Sequence, residues 1–517
     1  MSLRTNRWFT RGLIIFLSTV SLLSREITLD SKEFSAHASV KHLKTQVFKD
    51  LSGANTKISG YTTKVSVLAG EEVNFKIHAP NPWAIEIYRE GFYKGKNRDG
   101  KLIYHIGPLT RVIQPKFNFS QGTRTVDASN WRQTLSISTR GWKPGLYIAR
   151  LKMGNDFGYV PFVIRSKNLR NKTVYIASFQ TMQAYNNWGG YSAYKGQGES
   201  EPTSGNRAHR VTFDRPYGAG SLKHFIDNEL GIAQTVDRFG KNVAWVSDYD
   251  ISQGVADVTK ARLLVSSAHD EYWTVQNRKA YDRAIKNGTN LMNMGGNASY
   301  WRIRYKDDNG RLARSFYIYK YDKDPIEDSS PEQSTKLWRA EPGASPESLL
   351  TAAMYNHSAS YCGATNDYKA KMIESTWFGF AGTSVANNQI VPSIATHEMD
   401  QIIPRSSIPA KTQILMHSKF TCISTDGVRR NQSYDMTYYT TQTNAAVFST
   451  GTVAWGCLLT RLCAPKRGYR QESVKFAKAV TKNLLKALSA KDAALQFPAA
   501  YNVDVIYPNI KINLIQK

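Results

Sequence analysis

A chain of 517 residues is too long for one ordinary hydrophobic core, so two or more domains are expected, and 41% hydrophobic with 12% aromatic residues is a globular composition. Lys and Arg number 68 against 41 Asp and Glu, a net charge of +27 that suits an anionic partner surface such as a membrane or an envelope polymer. The charge is spread along the chain with no long Lys/Arg tract, which argues against a nucleic-acid arm and makes a basic, solvated exterior the plainer reading.

Arg4, Arg7 and Arg11 precede the apolar run Gly12 to Leu23, which is short for a membrane span. Residues 1–24 are therefore expected to be a secretion signal. Ala36-His37-Ala38 has the small-x-small form of a cleavage site but sits late, so an uncleaved N-terminal anchor is the alternative. The body is expected to be exported, periplasmic or extracellular, with residues 25–54 as a linker.

Residues 55–165 read as a β-sandwich. Thr63 to Val67, Glu72 to His78, Ala84 to Tyr88, Thr134 to Ser138 and Leu146 to Leu151 are short β-branched and aromatic runs between Gly, Pro and Asn turns. Alternation in the last run sends Tyr147 and Ala149 to one face, and by itself a tyrosine there is core.

From residue 170 to 495 strands alternate with helices, the grammar of a parallel α/β sheet. Val174 to Ser178 is a strand, Gly220 to Leu230 a helix and Asn242 to Val246 a strand. Between the first two, Thr181 to Tyr191 is crowded with aromatic and amide side chains, either a pocket wall at the strand ends or a surface loop. Leu263 to Val265 is a buried strand running into His269-Asp270-Glu271-Tyr272-Trp273. Extended backbone there places His269 and Glu271 on one face and Asp270 on the other. A plainer alternative has His269 and Glu271 capping the next helix and pairing with basic neighbours. That helix, Val275 to Lys286, stops at Asn287-Gly288, and a further strand, Leu291 to Met294, ends in Gly295-Gly296-Asn297.

Residues 305–390, charged and rich in proline, read as an insertion. Strand grammar resumes over Ala445 to Trp455, Glu472 to Leu488 is a basic amphipathic helix, and 496–517 is a tail. Cys362, Cys422, Cys457 and Cys463 match no common zinc spacing, and none sits in a nucleophile elbow. Structural or free thiols are expected, with the pairing open.

QAYNNWGG (Gln183 to Gly190), HDEYW (His269 to Trp273), GGNASYW (Gly295 to Trp301), HEMD (His397 to Asp400) and STGTVAW (Ser449 to Trp455) occur in one order. With YREGFYKG from Tyr88 and GLYIARL from Gly145, they resemble the large, or beta, subunit of N,N-dimethylformamidase and its C-terminal-domain family over roughly residues 55 to 490. The resemblance implies a glutamine-amidotransferase-like α/β domain without the cysteine nucleophile, and a mononuclear iron held by two tyrosines and a glutamate. Carried over by position, the ligands are Glu271, Tyr185 and Tyr147, with Tyr272 and Tyr191 as alternatives to Tyr147. The catalytic histidine falls on His269, the substrate-site asparagine on Asn297 and the acidic partner on Glu398. The pocket walls fall on Asn186, Trp188, Tyr272 and Trp301. The family enzyme's partner subunit is not part of this chain, and its export signal is an addition.

Two phenolates and a carboxylate are hard anionic ligands suited to a ferric ion, and three protein ligands leave positions open. The implied activity is hydrolysis of the carbon–nitrogen bond of a small amide, with His269 or Glu398 activating water. The rivals are a non-catalytic envelope or carbohydrate-binding protein, and redox work at the same metal. A homo-oligomer is compatible with all three.

Overall fold

The β-branched and aromatic runs of the first third become strands in a computed structural model, which describes residues 57–91, 93, 100–197, 205–240, 242–306, 312–358, 368–423 and 429–517. The expected signal, the linker and Cys362 lie outside the described residues. One antiparallel sheet holds Ser59–Thr62, Glu72–His78 and Leu135–Ser138. The other holds Ser66–Leu68, Trp83–Glu90, Gly100–Leu109, Gly145–Met153 and Asp156–Arg165, antiparallel except where Ser66–Leu68 lies parallel to its neighbour. The two-residue side-chain period buries Val73, Phe75 and Ile77 in one strand. Phe75 meets Phe162 of the second sheet edge-on, with ring centroids 5.9 Å apart. The expected strand Thr63 to Val67 instead straddles the bend between Ser59–Thr62 and Ser66–Leu68.

The remainder is mixed α/β, built on a nine-stranded sheet. Its strands are β1 (Thr173–Ala177), β2 (Val243–Ser247), β3 (Leu263–Ser266), β4 (Asn290–Asn293), β5 (Tyr368–Met372), β6 (Ile390–Ala395), β7 (Thr412–Ile423), β8 (Arg429–Thr440) and β9 (Ala446–Ser449). The spatial order is β2-β1-β3-β4-β9-β8-β7-β5-β6. From β2 to β9 the strands are parallel, and beyond β9 every pairing is antiparallel. The all-parallel expectation is thereby corrected. β7 passes to β8 through too few residues for a crossover, so that pair can only be antiparallel, whereas β3 reaches β4 through the helix Val275–Lys286. β1, β3, β4 and β9 are buried along their whole length, as strands covered on both faces must be.

Two further expectations change. The segment read as an insertion supplies β5 to the sheet, and the strand expected over Ala445 to Trp455 ends at Ser449. There the chain turns at Gly451, whose φ of 64° and close approach to the Asp435 carbonyl leave no room for a side chain, and it enters the helix Ala454–Leu459. Cys457 and Cys463 form a disulfide across the end of that helix. The expected helix from Gly220 begins at Ala219, widens to a π-turn at Phe225–Leu230 and continues to Phe239. Among the described residues no helix is long and apolar enough to cross a membrane.

Candidate active site

The carboxyl ends of β1, β3 and β4 meet at one place. β1 runs into the short helix Phe179–Ala184, whose first two amides donate to the Asp248 carboxylate at 3.0 and 2.9 Å, and the turn after it delivers Tyr185. β3 leads to His269 and Glu271, pinned from behind: Ser178 Oγ donates to the His269 carbonyl at 3.1 Å, and the Glu271 amide donates to Thr181 Oγ1 at 3.1 Å. β4 leads to Gly295, where a Cβ would lie 1.9 Å from the Ala268 carbonyl oxygen. Only glycine lets these two loops touch. Asn297 follows with φ 53°, its amide donating to Asp400 Oδ1 at 2.8 Å. Glu398 arrives on the short strand Glu398–Gln401.

Their side chains converge. His269 Nε2 lies 2.9 Å from Glu398 Oε2 and 3.3 Å from Glu271 Oε2. Asn297 Nδ2 donates to the same Glu398 oxygen at 2.8 Å. On the other side of Glu271, the Tyr185 and Tyr194 hydroxyls lie 2.9 and 2.7 Å from Oε2 and 2.6 Å from each other, and the Tyr272 hydroxyl donates to Tyr194 at 2.7 Å. Asp270 points away, both carboxylate oxygens buried without a hydrogen-bond partner.

Burial disfavours charge on the His269 imidazole, but Glu398 and Glu271 outweigh it and raise its pKa to about 10. Glu398 is held below the usual carboxylate range; burial pushes it up, while His269 and the Asn297 amide pull it down further. The pair is therefore imidazolium and carboxylate at neutral pH. Burial first, then the Glu271 charge, drives the Tyr185, Tyr194 and Tyr272 hydroxyls well above the normal phenol range. Lys320 stands with Nζ 3.3 Å from the centre of the Tyr194 ring, and burial lowers it to about 7 against the opposing pull of Glu271. His224 stacks on both His269 and Tyr185, its ring nitrogens buried and unpartnered.

His269, Glu271 and Glu398 form a group able to hold a metal ion, their donor atoms lying within 4.8 Å of one another. The Tyr185, Tyr194 and Glu271 oxygens are closer still, 2.6 to 2.9 Å apart. That is the spacing of O–H···O hydrogen bonds, and the three oxygens form a triangle. Two phenol protons cannot fill all three edges of such a triangle, whereas a cation would neutralise it.

Of the residues expected from sequence, His269, Glu271, Glu398, Asn297, Tyr185 and Tyr272 come together, and the Trp301 ring closes the cluster 5.4 Å from Lys320 Nζ. Tyr147 does not join them. Its ring stacks between Trp142 and Phe162 and its hydroxyl donates to the Lys143 carbonyl at 2.6 Å, so strand alternation has committed it to the β-rich core. Tyr191 packs on Phe119, and the place given to these residues is filled by Tyr194. Asn186 and Trp188 make their contacts elsewhere. Asn186 is wholly engaged in tying its loop to Gln183, Pro216, Trp188 and Gly218, and Trp188 packs on Phe117 and Trp131 of the β-rich segment. Tyr194, three residues past the aromatic loop singled out from sequence, was within reach of that signal. Lys320 and His224 carried none.

The fold and cluster define a mixed α/β protein with a buried histidine, carboxylate and tyrosine centre at parallel strand ends. The family described as N,N-dimethylformamidase beta subunit-like, C-terminal, matches residues 84–470, and the chain belongs to it. No curated protein sequence matches. Among solved structures, an uncharacterized protein from Bacillus anthracis str. Ames is 14% identical with a TM-score of 0.14, covering 20% of this chain and 77% of its own. The Pseudomonas fluorescens alkylpurine DNA glycosylase AlkC, bound to DNA containing an abasic site analog, is 11% identical with a TM-score of 0.13, covering 22% and 32%.

Proposed function

We propose that the chain is an iron-dependent hydrolase of small amides, with Tyr185, Tyr194 and Glu271 as the metal ligands and His269, Glu398 and Asn297 as the acid–base group. The observation that carries this reading is the convergence of three anionic-capable oxygens 2.6 to 2.9 Å apart beside a buried imidazolium–carboxylate pair. A ferric ion bound there would supply Lewis-acid polarisation of the amide carbonyl. Glu398, ionised and steadied by Asn297, takes a proton from water as the water oxygen bonds to the carbonyl carbon. His269, protonated, gives its proton to the nitrogen as the carbon–nitrogen bond breaks. Glu398 then returns a proton to His269 across 2.9 Å, leaving an amine and a carboxylic acid. Asn297 Oδ1, buried and unpartnered, is placed to accept a hydrogen bond from the departing amine. Lys320 and the tyrosine rings exclude bulk water.

A glutamine-amidotransferase-like arrangement for the α/β part belongs to the same proposal, supported by the parallel run β2-β1-β3-β4-β9 and its polar carboxyl ends. So does export, supported by Arg4, Arg7, Arg11 and the apolar run after them.

The test is turnover on a series of N-substituted formamides and acetamides by wild type and Glu398→Gln. Wild-type release of amine, reduced roughly 10²- to 10⁴-fold in the variant with metal retained, is expected. Equal rates in the two proteins would remove Glu398 as the base, and no release from any amide would remove the amidase reading.

A further inference from the structure

Trp301–Arg302 pairs in parallel with Tyr272–Trp273, and in this two-stranded ribbon neighbouring residues face opposite ways. Tyr272 and Trp301 face the tyrosine cluster. Trp273 and Arg302 face the reverse side, where a separate cavity of about 1180 Å³ opens. Among the described residues, five cationic side chains line it, Arg278, Lys279, Arg302, Arg304 and Lys306, against two acids, Asp282 and Glu332.

Two of those cations are already spent: Arg278 bonds Asp282 and the Ser345 and Pro346 carbonyls, and Arg304 bonds Asp324. Arg302 is not. Only 2% exposed, it donates Nη1 to the Glu332 carbonyl at 2.7 Å, while Nε and Nη2 have no acceptor. Its guanidinium carbon lies 5.3 Å from the centre of the Trp338 ring, and the Trp338 indole N–H is likewise buried and unpartnered. Burial pulls the Arg302 pKa below its usual value, opposed only by Glu332. At the rim, Lys279 and Lys306 are exposed and form no ion pair among the described residues. Buried donors without acceptors are costly, and a carboxylate is the acceptor that fits a guanidinium edge.

We propose that this cavity binds an acidic saccharide, its carboxylate held by Arg302 and the rim lysines. The volume is far larger than an inorganic ion needs and suits an organic body of several rings. Gln276 and Gln333 supply amide groups that can bind hydroxyls, beside apolar side chains of Val275, Leu312 and Ile326 on which the C–H face of a sugar ring can rest. Trp338 offers an aromatic edge. The site lies behind the ribbon that carries Tyr272 and does not depend on the amidase reading.

Calorimetric titration of the full chain with trigalacturonate tests it, with maltotriose and inorganic phosphate as comparison probes. Saturable binding of trigalacturonate alone is expected, weakened roughly 10- to 100-fold in Arg302→Gln. A comparable loss is expected in Lys279→Glu/Lys306→Glu, whose exposed positions keep the fold intact. Glu271→Gln should bind as wild type does. The proposal is overturned by no saturable binding of trigalacturonate, by equal binding of maltotriose or phosphate, by unchanged affinity in the lysine variant, or by loss of binding in Glu271→Gln.

Discussion

At the scale of single residues, the two carboxylates given different roles in the proposed function differ in what each oxygen already touches. Glu271 Oε2 is shared by two phenols and an imidazole, while Glu398 Oε2 is shared by an imidazole and an amide. Tyr194→Phe removes one corner of the oxygen triangle, so metal content should fall several-fold, whereas Tyr147→Phe, deep in the β-rich core, should leave it unchanged. Metal analysis of the two proteins side by side checks both statements. His269 and Glu271 were legible in the sequence because a buried strand runs into them, and Asn297 because it ends the next strand, whereas Glu398 was marked only by the resemblance of HEMD to the family. Tyr147 misled because GLYIARL is a fold pattern: its alternation states which face a tyrosine takes, and that face is core. Lys320 was illegible for the opposite reason, a lone lysine in a proline-rich stretch that only tertiary packing brings over the Tyr194 ring.

At the scale of elements, the strand, helix, strand unit β3 to β4 was the clearest feature of the chain. Its helix, Val275–Lys286, has a capping box at Thr274 and Asn277 and stops at Asn287-Gly288, signals that act locally. β7 and β8 carry no comparable local signal. They are long strands in which charged residues interrupt the alternation, and the pairing that stabilises them is nonlocal. The element that most directly controls the site is the contact between the β3 and β4 loops at Gly295. Gly295→Ala drives a methyl group into the Ala268 carbonyl, so the loops must separate. An overpacking cost of about 1–3 kcal/mol or more is expected, with His269 and Asn297 pulled apart. Thermal unfolding should show the loss, and an unchanged melting temperature would mean that the loops have slack.

At the scale of the whole molecule, the chain carries a large positive charge and yet buries a set of acids. Glu229, Asp248 and Asp270 lie behind the site, all raised above their usual range by burial; Asp270 and Glu229 add to the rise of Asp248, and Glu229 to that of Asp270, which reaches about 7. In the folded state Asp270 keeps its proton up to about pH 7, whereas in the unfolded chain it loses it near 4. Between those values the native state binds more protons, so this group's contribution to stability falls as pH rises. Asp270→Asn should match wild type near pH 4 and exceed it by a few kcal/mol at pH 8, a difference on the order of the pKa shift. Chemical denaturation of both proteins at those two pH values measures it, and a variant less stable than wild type at pH 8 would show that the carboxylate is compensated by something the fold supplies.

Iron held by Tyr185, Tyr194 and Glu271 is what the proposed function stands on. The most direct measurement is elemental analysis with an optical spectrum on protein purified without chelator or histidine tag, beside a Glu271→Gln control. Near-stoichiometric iron with a visible tyrosinate-to-iron band, both lost in the control, is expected. Wild-type protein without metal, or identical metal content and spectra in the two proteins, would contradict it.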